Sequence, residues 1–258
     1  MLPIDHGAMD EANEFFTALR NRAPDEPTAC RGWRVRDLVA HVAAGAQEEA
    51  DLIETHLRGG TARPTRSFDE REAAYRALPY DELLGALARE GGSLNAAVDA
   101  LIRSGGEVEF TGIRLSGQEF RVHSRSELAL HRWDIVGDDE TGHQLLAQPV
   151  LTAHAAKVLS GMASLQESAA ARAVRVHREP EDFAFRMRSP GSDDLLVQVA
   201  PMPSVKMMSP VTDELPVIRC SPADRLLAVW GRRLPDARID LSCVTAREAD
   251  RINAFLYL

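Results

Sequence analysis

The sequence predicts a multidomain α and α+β protein: a four-helix bundle over residues 1–142, then a small α+β domain over residues 143–258. Three observations predict it. Helical apolar stripes recur four times before residue 138, the tally of a small bundle. A polar, glycine-containing run, Gly137-Asp138-Asp139-Glu140-Thr141-Gly142, then breaks the pattern and marks the boundary. Beyond it, short apolar strands and helical segments share roughly 100 residues, as in α+β domains.

The elements follow in order. Ala12, Phe15, Phe16 and Leu19 form a helical stripe between about Ala8 and Arg20, broken by Pro24 and Pro27. A long helix from about Val35 to Arg58 carries Leu38, Val39, Val42, Leu52 and Ile53 on one side, and Gly59-Gly60 ends it. A short helix spans Ser67 to Leu78 before Pro79. Asp81 is placed to cap a third long helix through Leu83, Leu87, Leu94, Val98 and Leu101, loosened at Gly91-Gly92. From Glu107 the period shortens to alternation, with Val108, Phe110 and Ile113, then Phe120 and Val122 after Ser116-Gly117, a hairpin signature. The helix holding Ser126 to Ile135 completes the bundle.

In the second half, Val150 to Leu165 reads as a helix. Strands are expected at Ala173–His177, Phe183–Met187, Leu195–Val199, Val217–Cys220 and Ile239–Val244. Ser221 is an N-cap followed by proline at the first turn, with Leu226, Leu227, Val229 and Trp230 as the buried side of that helix. A final helix starts near Thr245, where Glu248 completes a capping box.

Composition narrows the function. Apolar residues make up 45% of the chain, ample for a buried core, and the net charge of −9 argues against a nucleic-acid surface. No run approaches the roughly 18 apolar residues that span a bilayer, and the first residues lack a basic n-region, so a cytoplasmic protein is expected. Cys30, Cys220 and Cys243 are widely spaced and odd in number, which suits a reducing compartment, and each reads as a small apolar residue.

The chemistry centres on Ser126-Glu127-Leu128-Ala129-Leu130-His131-Arg132-Trp133-Asp134-Ile135. On a helix, Glu127 and His131 lie one turn apart and leave the same face, where a carboxylate and an imidazole can grip a divalent metal. A third ligand has to come from elsewhere, and His41, in Asp37-Leu38-Val39-Ala40-His41, is the best candidate. Two other readings stand beside this one. Ser124 and Glu127 fit a capping box that would turn Glu127 back onto the helix start. His123 joins the same stripe if the helix begins early, and His56, farther along the helix of His41, is a further substitute.

Three pieces, Cys30-Arg31-Gly32-Trp33-Arg34-Val35-Arg36-Asp37-Leu38-Val39-Ala40-His41, Glu127-Leu128-Ala129-Leu130-His131-Arg132-Trp133-Asp134-Ile135 and Leu226-Leu227-Ala228-Val229-Trp230-Gly231-Arg232, stand in the order expected of one family. Together they resemble the mycothiol-dependent maleylpyruvate isomerase family. The resemblance implies a DinB-like four-helix bundle followed by a small α+β domain similar to sterol-carrier folds. It implies a divalent metal, usually zinc, on His41, Glu127 and His131, and an arginine for an anionic substrate, matched by Arg232 beside Arg233. Arg34 stands where the family often has a capping Ser or Thr.

Two histidines and one carboxylate leave a fourth zinc position free, as catalytic sites do. A thiol bound there is deprotonated. The resemblance therefore implies mycothiol as thiol cosubstrate and a small electrophile as substrate. An isomerase would let the thiol add to a cis alkene, allow rotation and leave; an S-transferase would leave it attached. The alternative is a non-catalytic metal- or small-ligand-binding protein of the same fold, and a third reading makes the C-terminal domain a carrier of apolar ligands. Asp37 and Asp134, each within a turn of a ligand histidine, are candidates for supporting the ligands.

Overall fold

The computed structural model describes residues 10–61, 63–161, 183–200, 204–211, 214–232, 234 and 238–256. The chain is helical, with a sheet-containing C-terminal region. The expected strand at Ala173–His177, the helix end toward Leu165 and the first helix start at Ala8 lie outside the described residues.

The N-terminal helices are α1 (Glu11–Arg20), α2 (Val35–Leu57), α3 (Phe68–Arg76), α4 (Tyr80–Ser104) and α5 (Gly117–Val136). Asp10 caps α1 by accepting from the Ala12 and Asn13 amides, and Ser67 and Glu70 form a reciprocal box at the start of α3. α4 begins at Tyr80 after Pro79, with no side-chain cap, so Asp81 lies inside its first turn instead of capping it. Gly91-Gly92 does not interrupt it. Phe15, Leu38, Val39, Leu83 and Leu87 form a core at one end of these helices, and Ile53, Leu94, Leu101, Leu115 and Phe120 form another at the opposite end. Each such side chain removed from water contributes about 2 kcal/mol.

The hairpin is tighter than the alternation suggested. β1 (Glu107–Phe110) pairs antiparallel with β2 (Ile113–Ser116). Their loop is two residues long, Thr111-Gly112, both with positive φ (51° and 87°), which suits the right-handed twist of the strands. Phe120 and Val122 are not strand residues. They belong to α5, which Ser116 opens by accepting from the Glu119 amide while Glu119 Oε2 accepts from the Ser116 amide at 2.8 Å. Gly117 lets α5 start against α4, since a Cβ there would lie 2.6 Å from Ile102 Cγ1. Glu127 thus sits deep inside the helix, and the Ser124 box is not made: the Ser124 hydroxyl donates to the Phe120 carbonyl.

The run read as the domain boundary turns at Gly137 and enters α6 (Glu140–Leu146), capped by Asp139, so that a short helix spans residue 142. α7 (Pro149–Gly161) follows. The C-terminal sheet has the order β5-β4-β3-β6, with β3 (Phe183–Arg188), β4 (Asp194–Ala200), β5 (Ser204–Met208) and β6 (Val217–Arg219). β3 pairs antiparallel with β4 and parallel with β6. The sequence reading passed over β5. Ile239–Val244 forms no strand, only a bridge between Arg219 and Asp240. α8 (Pro222–Val229), capped by Ser221, and α9 (Ala246–Leu256), boxed by Thr245 and Glu248, stand as expected.

The two regions share a core. Ala129, Leu130 and Trp133 of α5 join Leu145, Leu151, Phe185, Leu226 and Leu227 in one cluster. α5 therefore serves two fronts, and its other face carries the polar residues of the site. No helix among the described residues is long and apolar enough to cross a membrane.

Candidate metal centre

His41 stands in the second turn of α2. Arg34 precedes that helix in extended conformation, and Asp37 Oδ2 accepts from its amide at 2.9 Å. Asp37 thus makes the N3 half of a capping box, covering the Arg34 amide just ahead of the helix, and it supports the helix start instead of a ligand. Glu127 and His131 face α2 from α5, so the structure brings all three sequence-expected residues together. One ligand atom from each of His41, Glu127 and His131 lies within 4.8 Å of the others.

The two imidazoles are arranged alike. His41 Nε2 lies 3.7 Å from Glu127 Oε2, and His131 Nε2 lies 3.4 Å from the same oxygen. On its far side each ring is tied to a second carboxylate: His41 Nδ1–H donates to Glu72 of α3 at 2.7 Å, and His131 Nδ1–H donates to Asp134 at 2.9 Å. Nδ1 therefore keeps its proton and the Nε2 lone pairs aim at Glu127, the tautomer in which metal-binding histidines are held. Trp33 and Phe68 wall the site, their rings 5.0 and 5.3 Å from that of His41. Glu127 remains 26% exposed, so the cluster has an open side.

Electrostatics match the geometry. Burial opposes charge on Glu127, yet the imidazoles of His131 and His41 outweigh it and hold the carboxyl well below its ordinary range. Burial likewise opposes charge on His131, while Asp134, Cys30 and Glu127 push its pKa well up. Two neutral Nε2 donors and one carboxylate oxygen are the donor set that zinc takes, and the residues present fit such an ion.

Arg232, expected to meet an anionic substrate, lies after α8 with its guanidinium closed on Asp134, at 3.1 and 2.6 Å to the two oxygens. It also donates to the Trp230 carbonyl and reaches Cys30 Sγ at 3.7 Å. It touches the site through Asp134, which in turn holds His131. Arg233 lies outside the described residues.

Cys30 is no ordinary apolar residue. Its thiol donates to Asp134 at 3.1 Å, and Cys30, His131 and Asp134 form a second set of convergent donors. That set suits a cation less well, because Arg232 already neutralises Asp134. His56 is exposed near the end of α2. His123 is buried one turn before Glu127 and pairs instead with His154 of α7, 3.0 Å away. Sequence reasoning missed Glu72, Cys30 and His154; only Cys30, which opens the first family-like piece, carried any signal.

The family description "Mycothiol maleylpyruvate isomerase N-terminal domain" matches residues 6–136. The chain belongs to this family. A search of curated proteins finds no match. Among solved structures, a crystal structure of the mycothiol-dependent maleylpyruvate isomerase carrying a histidine-to-alanine mutation is similar over 91% of this chain and 90% of that one, at 16% identity and TM-score 0.58. A second crystal structure of the mycothiol-dependent maleylpyruvate isomerase covers 86% and 85%, at 17% identity and TM-score 0.55. At such identities the likeness speaks for the fold of the maleylpyruvate isomerase family, carried here through both regions.

Proposed function

We propose that this member of the family is a metal-dependent enzyme that uses mycothiol as thiol cosubstrate, as a maleylpyruvate-type cis-trans isomerase or a thiol S-transferase acting on a small electrophile. The observation that carries the reading is the convergence of His41 Nε2 and His131 Nε2 on Glu127 Oε2, each ring clamped from behind by its own carboxylate. His41, Glu127 and His131 would hold the cation, zinc by its donor preference. When bound there, a divalent cation supplies the charge that keeps a thiol deprotonated near neutral pH.

The chain's own residues do the rest. Glu72 and Asp134 hold the Nδ1 protons, which keeps both Nε2 atoms available and fixes the ring planes. Arg232 is a positioning residue: it keeps Asp134 ionised and in place, and so acts on His131 from across the boundary between the two regions. Trp33 and Phe68 limit water at His41. No protein nucleophile is required, because the thiol supplies it. We also read the N-terminal helices as the DinB-like four-helix bundle and the C-terminal region as sterol-carrier-like.

Metal analysis of the purified protein, followed by incubation of zinc-loaded protein with mycothiol and a panel of electrophiles, tests this reading. About one equivalent of metal and thiol-dependent turnover of at least one electrophile are expected. Absence of metal uptake overturns the site; metal uptake with silence across a broad panel favours the non-catalytic, metal-binding alternative.

A further inference from the structure

The C-terminal region holds an open cavity of about 920 Å³ in which the metal centre takes no part. Its walls come from Arg188 and the loop that joins β3 to β4, from Pro210, and from Arg219-Cys220-Ser221, where β6 runs into α8. The cavity stands at the N-terminal end of α8, whereas Arg232 follows its C-terminal end. Eight helical residues, Pro222–Val229, lie between them and span roughly 12 Å. A space of this size takes an organic molecule, not merely an ion.

The groups around the cavity are short of anions. Arg188 and Arg186 share one buried carboxylate, Asp194, at 2.7 and 4.0 Å. Arg225 of α8 is 1% exposed and donates to the Asp193 carbonyl at 2.6 Å and the Ser192 hydroxyl at 3.1 Å, so it holds the cavity's loop from behind. Its Nε has no partner. Arg219 is exposed and donates to the Cys243 thiol at 3.2 Å; neither it nor Arg225 forms an ion pair among the described residues. Asp193, the one acid on the wall, is exposed, and the carboxylate of Asp240, bridged to Arg219 through the backbone, accepts from the Ser242 amide. Ser189 also lines the cavity. It is 2% exposed and its hydroxyl has no hydrogen-bond partner. The Cys220 thiol beside it offers little, because burial pushes that thiol's pKa up to about 12 and keeps it neutral. A buried hydroxyl left this way is unfavourable unless a bound group supplies the missing bond.

We propose that this cavity is a second binding site, for a small organic anion whose apolar body lies against Pro190, Pro210 and Cys220 and whose oxyanion head accepts from Arg219 and the Ser189 hydroxyl. The guanidinium of Arg219 offers a fork to such a head, and the buried charge of Arg225 lies behind the same loop. The first turn of α8 adds the positive end of its dipole, although Ser221 already occupies the Asp224 amide. An uncharged apolar guest would leave Arg219 and Ser189 unanswered. The site is independent of the metal centre, since none of its lining residues belongs to that cluster.

The test is fluorescence titration of the full-length protein with anilinonaphthalene sulfonate and with phenylnaphthylamine, the same skeleton without the sulfonate. The wild type is expected to bind the sulfonate roughly tenfold tighter than the amine, or better. Arg219→Glu, at an exposed position where folding is not at stake, is expected to erase that preference. Ser189→Ala is expected to weaken the sulfonate and leave the amine unchanged. Equal binding of the two dyes by the wild type overturns the proposal in favour of an apolar carrier, and binding of neither overturns it too. So does a full preference in Arg219→Glu or an unchanged sulfonate affinity in Ser189→Ala. Phenyl phosphate, benzenesulfonate and benzoate, added as competitors, rank the head group; failure of all three to displace the bound dye again overturns the site. Zinc loading is expected to leave the titrations unchanged, which keeps this outcome apart from that of the metal centre. Sulfonate binding that depends on zinc would place the dye at that centre and remove the second site.

Discussion

Two layers of the same helices carry the same residue types and are built for opposite purposes. In one, His41, His131 and Glu127 meet, and each imidazole is backed by an ionised carboxylate. One turn away along α5, His123 faces Glu49 at 3.6 Å and His154 at 3.0 Å, again two histidines and a glutamate. Here the imidazoles hydrogen-bond to each other. Burial, with the neighbouring His123, pushes His154 down to about 3; burial lowers His123 too, and Glu49 is driven toward its neutral form. The first layer accumulates negative charge that a cation would satisfy, and the second sheds its charge. The residue inventory does not separate them. What does is whether each ring has an acid behind it.

The largest expected effect breaks the comparison at its ligands. Glu127→Gln should abolish stoichiometric zinc uptake, since a neutral amide oxygen replaces the one anionic donor, whereas His123→Leu should keep about one equivalent. Metal content by atomic absorption after gel filtration separates the two. Zinc lost in His123→Leu and kept in Glu127→Gln would exchange the roles of the layers.

A smaller effect sharpens it. If the acid behind the ring is the distinguishing feature, Asp134→Asn and Glu72→Gln should each weaken zinc affinity by about 10- to 100-fold without removing a ligand. Competition against a chromophoric chelator reads this directly. Affinity unchanged in both variants would mean the backing carboxylates serve folding alone.

Much of the first layer was legible in the sequence, because Glu127 and His131 share one helix face and His41 belongs to a recognisable piece. The supports were not. Glu72 sits on α3, a helix so polar that its buried side does not stand out. It earns its place only through a contact 31 residues back along the chain. Arg232 meets Asp134 across 98 residues, a pairing no local pattern encodes. The start of α5 shows a different difficulty. Ser116 and Glu119 make the capping box, while Ser124 and Glu127 repeat the same spacing eight residues later and make none. Phe120 and Val122, two apart, imitate strand alternation, and only the completed hairpin at Ile113–Ser116 shows that the helix has already begun.

The smallest effect concerns two adjacent glutamates of α2, both buried, that carry the contrast between ionised and neutral into stability. Burial opposes charge on Glu48, but Arg63 and Arg66 pair with it at 2.5 and 2.6 Å and the Arg66 amide donates at 2.8 Å, holding its pKa at about 2. A carboxyl with a folded-state pKa below its unfolded value stabilises the fold above the unfolded pKa, and the contribution fades as pH falls toward the folded one. For Glu48 the loss runs from about pH 5 down to about 2. Because both arginines are partly exposed, solvent screening trims the contribution to about 2 kcal/mol. Glu48→Gln should therefore cost about that much at pH 7 in urea unfolding, and the difference from wild type should shrink on going to pH 3. Glu49→Gln replaces a carboxyl already driven toward neutrality by an uncharged amide of the same shape, and should cost clearly less than Glu48→Gln in the same urea titration. Equal costs at the two positions would show that Glu49 is ionised after all, and the second layer would then be a charged site like the first.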